Sequence, residues 1–300
     1  MSNVNSMSKP AVGRKTSALD KVLRVALYTV LITVAAFYLV PFVVMLITSL
    51  KDVEEIRTGT LLSLPASLHF DSWIKAWSEA CTGSSCGGIS PYFMNSFQIV
   101  IPAVLISTLL GAINGYVISL WKFRGSDLFF AALLIGCFIP FQVILLPMAR
   151  TLGWLGIANT TTGLVFVHVV YGVAFTTLFF RNFYQSIPGE LVKAARLDGA
   201  GFFTIFYRII LPVSTPIIVV TVIWQFTQIW NDFLFGVAFS GFETQPVTVA
   251  LNNLVNTSFG GKEYNVDMAA AIIAALPTLL VYIFAGKYFV RGLTAGAVKG

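Results

Sequence analysis

Charged residues are scarce in this chain. Only 11% of its 300 residues are Asp, Glu, Lys or Arg, 57% are hydrophobic, and the mean hydropathy is +0.83. So few charges cannot cover so much apolar surface on a water-soluble globule, and a lipid bilayer is the expected solvent. The formal net charge of +6 does not indicate nucleic acid binding, because the basic residues stand singly between apolar runs.

The residue clusters of an enzyme are also missing from the sequence. His69 and His168 have no second His or Cys at metal-ligand spacing. Gly261-Lys262 lacks the preceding glycine of a P-loop and is followed by Glu263, so no Walker A loop is expected. We therefore expect no catalytic residue, no metal site and no cofactor in this chain, which argues against a membrane-embedded enzyme. Any ATP must be hydrolysed by another subunit.

Cysteine is scarce as well. Cys137 lies in an apolar run and is expected to be a small buried hydrophobic residue. Cys81 and Cys86 lie in a Gly/Ser-rich stretch that is expected to be external. There they either form a disulfide in an oxidising compartment or remain two thiols, and the residues alone leave both alternatives open.

Long apolar runs are abundant by contrast. Six of them are long enough to cross about 30 Å of hydrocarbon at roughly 20 residues each. Their expected bounds are 26–49, 97–120, 128–149, 161–182, 211–233 and 268–290. The first follows a polar lead and has no cleavage site, so it is interpreted as an uncleaved span. The sequence predicts an all-α polytopic membrane protein with six transmembrane helices in a domain at 26–291, flanked by tails at 1–25 and 292–300.

The basic residues predict the orientation of these spans. Fourteen of the nineteen lie in the two tails, the turn between spans two and three, and the loop between spans four and five: Lys9, Arg14, Lys15, Lys21, Arg24, Lys122, Arg124, Arg181, Lys193, Arg196, Arg208, Lys287, Arg291 and Lys299. Basic residues resist translocation across the membrane. Both termini are therefore expected in the cytoplasm.

Polar residues within the spans are uncharged. Asn114, Gln142, His168, Gln225 and Gln228 need partners inside the bundle or water. No span has a clear central charge, which argues against an ion-coupled secondary transporter and favours a neutral, hydrogen-bonding solute. For His168 itself, an interhelical hydrogen bond is the expected role.

The second span carries a small residue at every fourth position, namely Ser107, Gly111, Gly115 and Ser119. This spacing predicts close packing of another helix. Prolines interrupt the spans at positions 41, 140, 147, 216 and 277. Such interruptions free backbone carbonyls and are typical of bundles that move or line a cavity.

The loop at 183–210 predicts two short helices. Pro188 and Glu190 suit a first helical turn, and Asp198-Gly199 suits a helix end. A second amphipathic segment follows, with one face formed by Phe202, Ile205, Phe206 and Ile209.

The first of these helices has a small apolar face. Leu191, Ala194 and Ala195 recur at i, i+3 and i+4, while Lys193 and Arg196 project elsewhere. Such a face suits the groove of a partner, but the helix would also suit a plain connection between two spans. The residues alone leave both interpretations open.

The same loop resembles the loop motif of ABC importer permeases, which runs Glu-Ala-Ala, three residues, Gly and later Leu-Pro. The matching residues are Ala194-Ala195, Asp198-Gly199-Ala200 and Leu211-Pro212, whereas the Glu of the motif is Lys193 here. In that family the loop forms a coupling helix that fits a cleft of a cytoplasmic ATPase. The resemblance implies an ATPase-docking surface made of Glu190, Leu191, Lys193, Ala194, Ala195, Asp198, Gly199, Ala200 and Gly201. With Lys193 in place of Glu, docking is expected to depend on shape and not on that ion pair.

Other segments are similar to the carbohydrate-uptake branch of this family, the permeases like the shorter membrane subunit of the maltose system. Trp230-Asn231-Asp232-Phe233 and Gln245-Pro246-Val247-Thr248-Val249 match that branch, and the segments 179–184 and 251–257 look closest to glucose or glucose/mannose permeases. The resemblance implies the ABC importer type I permease fold. It also implies a C-terminal tail that contacts the ATPases through Thr294, Ala295, Gly296, Lys299 and Gly300.

By resemblance, the importer would contain a second, different permease, two ATPases that bind ATP and Mg, and a periplasmic sugar-binding protein. It would lie in the bacterial inner membrane in contact with lipid and import glucose or mannose by alternating access, the alternative being another sugar or a polyol such as an oligosaccharide or glycerol phosphate. In the maltose-type arrangement the sugar contacts mainly the other permease. Candidates for the pore or gate of this chain are Asn114, Gln225, Gln228, Trp230, Asn231 and Asp232. For the last three, interfacial anchoring and loop capping compete with sugar contact.

Overall fold

The computed structural model describes residues 18–83, 85–257 and 261–295, with side chains described up to residue 286. These residues form helices and one short hairpin. The elements before the fourth span are α1 Ala18–Ser49, α2 Val53–Thr58, α3 Asp71–Ser78, β1 Cys81–Thr82, β2 Ser85–Cys86, α4 Ser90–Leu120, α5 Ser126–Phe138 and α6 Phe141–Trp154. The later elements are α7 Thr161–Tyr184, α8 Gly189–Leu197, α9 Phe202–Ile205, a π-helical turn Phe206–Ile210, α10 Leu211–Val213, α11 Thr215–Trp230, α12 Leu234–Phe239, a 3₁₀ turn Phe242–Thr244, α13 Val247–Asn256 and α14 Tyr264–Ala295.

Among the described residues, four single helices, α1, α4, α7 and α14, are long and apolar enough to cross a membrane. Two bent helix pairs also pass this test, which gives six spans if each pair counts as one. The predicted all-α polytopic architecture is confirmed. The described part of α1 already includes Ala18, eight residues before the predicted start of the first span at residue 26.

The predicted span at 128–149 corresponds to a bent helix pair, with the interruption that Pro140 predicts. α5 ends at Phe138, α6 begins at Phe141, and their axes differ by 106°. Pro140 lacks a backbone N–H and disfavours helical geometry at Ile139, which has extended backbone angles. The polypeptide chain therefore bends sharply between α5 and α6.

The predicted fifth span at 211–233 also differs from the structure. The long helix α11 begins at Thr215 after a 77° bend from the segment 202–213. Pro212 and Pro216 flank this bend, and the π-helical turn precedes it. Prolines and π turns are the usual causes of sharp helix bends.

The small residues of α4 do bring another helix close, as predicted. A Cβ atom on Gly111 would lie 2.3 Å from Thr176 Oγ1, and one on Gly115 would lie 2.7 Å from the Phe180 Cβ. Thr176 also donates a 2.8 Å hydrogen bond to the Ser107 carbonyl. α4 and α7 therefore pack backbone against backbone at these glycines.

The buried side chains form two clusters. One joins α3, α4, α6, α7, α11, α12, α13 and α14 and includes Trp230, which is 1% exposed. The other lies where α4 and α7 end and includes Tyr116, Phe180 and Tyr184. The second cluster also receives α8 and the π-helical turn, so the loop that follows α7 is part of the packed structure.

The stretch at residues 70–86 packs onto the bundle. Trp77 of α3 contacts Phe93 edge to face with ring centroids 5.4 Å apart. Cys81 and Cys86 form a disulfide across the antiparallel pair β1 and β2. The Gly83 N–H donates to Thr257 Oγ1 at 3.0 Å, which ties the hairpin to the end of α13.

Candidate functional site

The helix α8 has the ends that the sequence predicts. It begins at Gly189 after Pro188 and ends at Leu197. Gly199 has a φ of +78°, and the Ala200 N–H donates to the Ala195 carbonyl at 2.9 Å. A left-handed glycine followed by this hydrogen bond is a common helix stop.

The two sides of α8 differ in burial. Val192 and Ala195 are buried in the cluster at the end of α4 and α7. Leu191, Ala194 and Leu197 are exposed, and Leu197 reaches 89% exposure. Ala195, which was predicted for the docking surface, packs against the bundle of its own chain and is 7% exposed. We call the exposed side, formed by Leu191, Ala194 and Leu197, the free face of α8.

Arg196 fixes α8 to the turn that follows α4. Its guanidinium donates to the Leu120 carbonyl at 3.2 Å and lies 3.9 Å from the centre of the Trp121 ring. Lys193, Glu190 and Asp198 are exposed. In the part of the chain that the structure describes, none of these three forms an ion pair, so their charges face outward.

A cavity of about 90 Å³ lies among α6, α7, α11 and α12. Its lining combines five aromatic rings with a small polar set. The lining residues are Phe141, His168, Tyr171, Gly172, Phe175, Trp224, Gln225, Gln228, Ile229, Asp232 and Phe235. We call it the aromatic cavity.

The aromatic rings of this cavity contact one another. Ring centroids are 4.6 Å apart for Phe141 and Tyr171, and 4.9 Å apart for Phe175 and Trp224. The Tyr171 hydroxyl also donates to the Ile139 carbonyl at 3.4 Å. That carbonyl lies at the break between α5 and α6, so the broken span borders the cavity.

The polar side chains of the cavity differ in the number of hydrogen bonds that they form within the chain. The Gln225 amide donates to Ser107 Oγ at 2.6 Å and lies against Gly172, where a Cβ atom would approach its Nε2 to 2.1 Å. The carboxylate of Asp232 accepts from the backbone N–H of Gly236 at 3.1 Å and so caps α12. Gln228 is exposed and makes no side-chain hydrogen bond among the described residues.

His168 lies beside this carboxylate. Its Nε2 is 3.9 Å from Asp232 Oδ2, which is too long for a hydrogen bond, and its ring meets Phe235 edge to face. The interhelical hydrogen bond expected for His168 is thus not formed with Asp232.

The structure brings three of the six pore or gate candidates together, namely Gln225, Gln228 and Asp232. The others lie elsewhere. Trp230 donates to the Ala274 carbonyl at 2.9 Å in the core, Asn231 donates to the Thr227 carbonyl at 2.9 Å, and Asn114 donates to Thr177 Oγ1 at 3.3 Å. These three side chains join helices or helix turns and do not line the cavity.

Sequence reasoning missed the aromatic wall of the cavity. His168, Tyr171 and Phe175 are spaced by three and four residues on α7, and Trp224 and Gln228 by four on α11. This spacing places each set on one helix face and was the available signal. It did not show that the two faces meet.

The predicted ATPase-contacting tail is only partly described. Thr294 and Ala295 belong to the last turn of α14, whereas Gly296, Lys299 and Gly300 lie outside the described residues. Among residues 18–83, 85–257 and 261–295, no group of three or more His, Cys, Asp or Glu side chains is placed to hold a metal ion.

The chain matches a known family. Residues 107–294 match the model of the binding-protein-dependent transport system inner membrane component. A "Probable ABC transporter permease protein" of Pyrococcus horikoshii is 41% identical, with 92% of this chain and 98% of that protein covered. A "Xylose/arabinose import permease protein" of Haloferax volcanii is 32% identical, with 91% and 93% covered.

A solved structure has the same fold. It is a bacterial ABC transporter "involved in the import of the acidic polysaccharide alginate", with a TM-score of 0.79 at 19% identity, covering 92% of this chain and 100% of the matched one. The family match covers more than half of the chain and includes α7, α8, α11 and the aromatic cavity. This chain therefore belongs to the binding-protein-dependent transport system inner membrane components, the permeases of ABC importers.

Proposed function

We propose that this chain is one permease subunit of an importer for glucose, with mannose as a second substrate. The observation that carries the transport role is the construction of α8, in which Val192 and Ala195 are buried while the free face is left open. Such a helix suits the groove of a separate ATPase. The choice of glucose rests on the resemblance of segments 179–184 and 251–257. The Haloferax volcanii relative and the solved structure are named for other saccharides, namely xylose/arabinose and alginate.

The importer that we propose has five protein parts. This chain pairs with a second, different permease, and two ATPase subunits bind ATP and Mg and dock on α8. A periplasmic sugar-binding protein delivers the sugar from outside. The apolar side chains of α1 are exposed along most of that helix, and they require lipid or another chain as neighbour.

Transport in this proposal is alternating access driven by ATP binding. Motion of α8 would be transmitted through Val192 and Ala195 to the π-helical turn, which shares their buried cluster. The chain then bends at Ser214 and continues into α11. The Ser214 hydroxyl donates to the Tyr184 hydroxyl at 3.3 Å, which holds this bend against the end of α7. α11 carries Trp224, Gln225 and Gln228, so the coupling helix is connected to the cavity by packed structure.

Radiolabelled glucose uptake into a strain that lacks this chain tests the substrate. Restoring the chain is expected to restore uptake, and excess unlabelled mannose is expected to reduce it. If the restored chain does not restore glucose uptake but does restore uptake of labelled xylose, maltose or glycerol phosphate, the importer is assigned to another sugar or polyol.

Cysteine labelling in intact cells tests the orientation. In a Cys137→Ala background, Leu61→Cys is expected to react with a membrane-impermeant maleimide, whereas Lys193→Cys reacts only after the membrane is opened. Both positions are exposed, so accessibility depends on the side of the membrane. Leu61 is preferable to Lys262, whose ammonium is 2.7 Å from Asp267. The reverse labelling pattern would place the termini outside.

A further inference from the structure

We infer that the aromatic cavity of this chain binds one edge of a neutral sugar ring during transport. This inference rests on the proposed function and refines it, because it places a saccharide contact on this permease itself. The maltose-type arrangement instead predicts that the sugar contacts mainly the other subunit.

The aromatic walls suit the apolar faces of a sugar. The C–H groups on one face of a pyranose pack on flat rings, and Tyr171, Phe175 and Trp224 offer such rings side by side. Their centroids form a continuous row, 6.0 Å apart for Tyr171 and Phe175 and 4.9 Å apart for Phe175 and Trp224. Phe141 and Phe235 close the row, with centroids 5.7 Å apart. Aromatic side chains with a few placed polar groups are the usual lining of a small-molecule site.

The polar groups suit hydroxyls. Gln228 reaches the cavity with an amide that has no partner among the described residues, so it can donate to one hydroxyl oxygen and accept from another hydroxyl. Asp232 still has acceptor capacity, because a carboxylate has about four acceptor positions and two backbone N–H groups use only part of them. Gln225 is held by Ser107 and supports the wall from behind.

The charge of the lining selects against acidic ligands. The lining has one carboxylate and no Lys or Arg side chain. A uronic acid or a sugar phosphate would bring its negative charge near Asp232 without a cation to balance it. A neutral sugar meets no such penalty. The charge on this side of the pathway therefore favours neutral monosaccharides or the neutral end of an oligosaccharide.

The backbone around the cavity also indicates a binding role. The span is broken at Pro140, and the freed Ile139 carbonyl accepts from Tyr171, one of the lining residues. Broken helices at membrane depth are tolerated where the chain is buried in protein or lines a cavity, and transporters use them at substrate sites. The volume of about 90 Å³ holds part of a hexose and not a whole oligosaccharide, so one sugar edge is the expected occupant.

Uptake by the complete importer in proteoliposomes, with its binding protein, tests the inference. The probes are radiolabelled glucose, mannose, xylose, arabinose and maltose, with glucuronate and glycerol phosphate as charged probes. We expect Gln228→Ala to lower the uptake rate of the transported neutral sugar about fivefold through the lost hydrogen bonds. We expect Trp224→Leu to lower it about tenfold through the lost ring contact, and Trp224→Tyr to keep most of the rate.

Matched variants outside the cavity serve as controls. Gln185→Ala removes an exposed glutamine after α7, and Trp154→Leu removes a tryptophan that is 86% exposed. Both are expected to leave the uptake rate within about twofold of the unchanged importer, as surface substitutions usually do. Size-exclusion chromatography of the complex verifies that each variant assembles. If Trp224→Leu does not assemble, Gln228→Ala still tests the inference, because Gln228 is exposed.

The outcomes separate the inference from the proposed function. The cavity assignment is overturned, and the permease role is left intact, if the variants take up a neutral sugar at unchanged rates. This outcome is read from Gln228→Ala and Trp224→Tyr, and from Trp224→Leu where it assembles. Uptake of only the charged probes overturns the preference for neutral sugars. An assembled importer that takes up no saccharide contradicts the proposed function itself.

Discussion

The variant Ala194→Trp is expected to reduce sugar uptake more than tenfold while the importer still reaches the membrane. Ala194 lies on the free face of α8, opposite the buried Val192 and Ala195. An indole at this position projects away from the bundle, so the chain itself has room for it. A partner groove shaped for a methyl group does not, and overpacking of a closely fitted contact costs about 1–3 kcal/mol or more. Uptake and ATP hydrolysis measured together in proteoliposomes should show hydrolysis without matching transport.

The variant Phe203→Trp provides the control for added indole in the same loop. Phe203 is 68% exposed and lies in α9, outside the free face. Its uptake is expected to stay within about twofold of the unchanged importer. Normal coupled uptake by Ala194→Trp would show that the free face does not dock.

The variant Lys193→Glu separates shape from charge in this contact. It restores the carboxylate of the family motif at an exposed position. If docking depends on the apolar face, the uptake rate should change less than about threefold, since exposed ion pairs contribute little. A loss as large as that of Ala194→Trp would assign the fit to charge at position 193.

The variant Gly111→Ala is expected to lower the stability of the membrane bundle by about 1–3 kcal/mol. Its new methyl group would lie 2.3 Å from Thr176 Oγ1 and 2.8 Å from the Thr176 carbonyl carbon. The carbonyl carbon belongs to the backbone of α7, so a side-chain rotation does not relieve the contact and the two helices must move apart. Thermal unfolding of the purified complex in detergent should show the lower midpoint.

The variant Gly136→Ala is the matched control for this change. It also adds one methyl group to an apolar helix, but the nearest atom outside that helix would be the Ala174 Cβ at 3.9 Å, an ordinary contact. Its midpoint is expected to be unchanged or slightly higher, because alanine favours the helix over glycine by about 1 kcal/mol. Equal midpoints for the two variants would contradict the close packing of α4 on α7.

Much of the architecture follows from local properties of the sequence. Long apolar runs identify the spans because the hydrocarbon core sets a minimum length. The small residues Gly111 and Gly115 predict a close helix contact, since a missing side chain is what lets two backbones approach. Pro188 and Gly199 mark the ends of α8 because their backbone preferences are intrinsic to each residue.

Other features depended on which surfaces meet. The proline at position 140 was visible in the sequence, but the 106° bend between α5 and α6 depends on how both helices pack on their neighbours. Trp230 stands in a motif that suggested a gate, yet it is buried and bonded to α14. A motif identifies a residue without stating which element will cover it.

The helix α8 shows where the sequence was sufficient and where tertiary structure decided. Its existence, its two ends and its small apolar residues were determined by the sequence, because helix caps and periodicity act over a few neighbouring residues. The side left free for a partner was decided by packing, which buries Val192 and Ala195 and exposes Leu191 and Ala194. The aromatic cavity was decided in the same way, since it exists only where the faces of α7 and α11 meet beside the broken span. Periodicity shows which residues share a face, whereas only the folded chain determines what that face contacts.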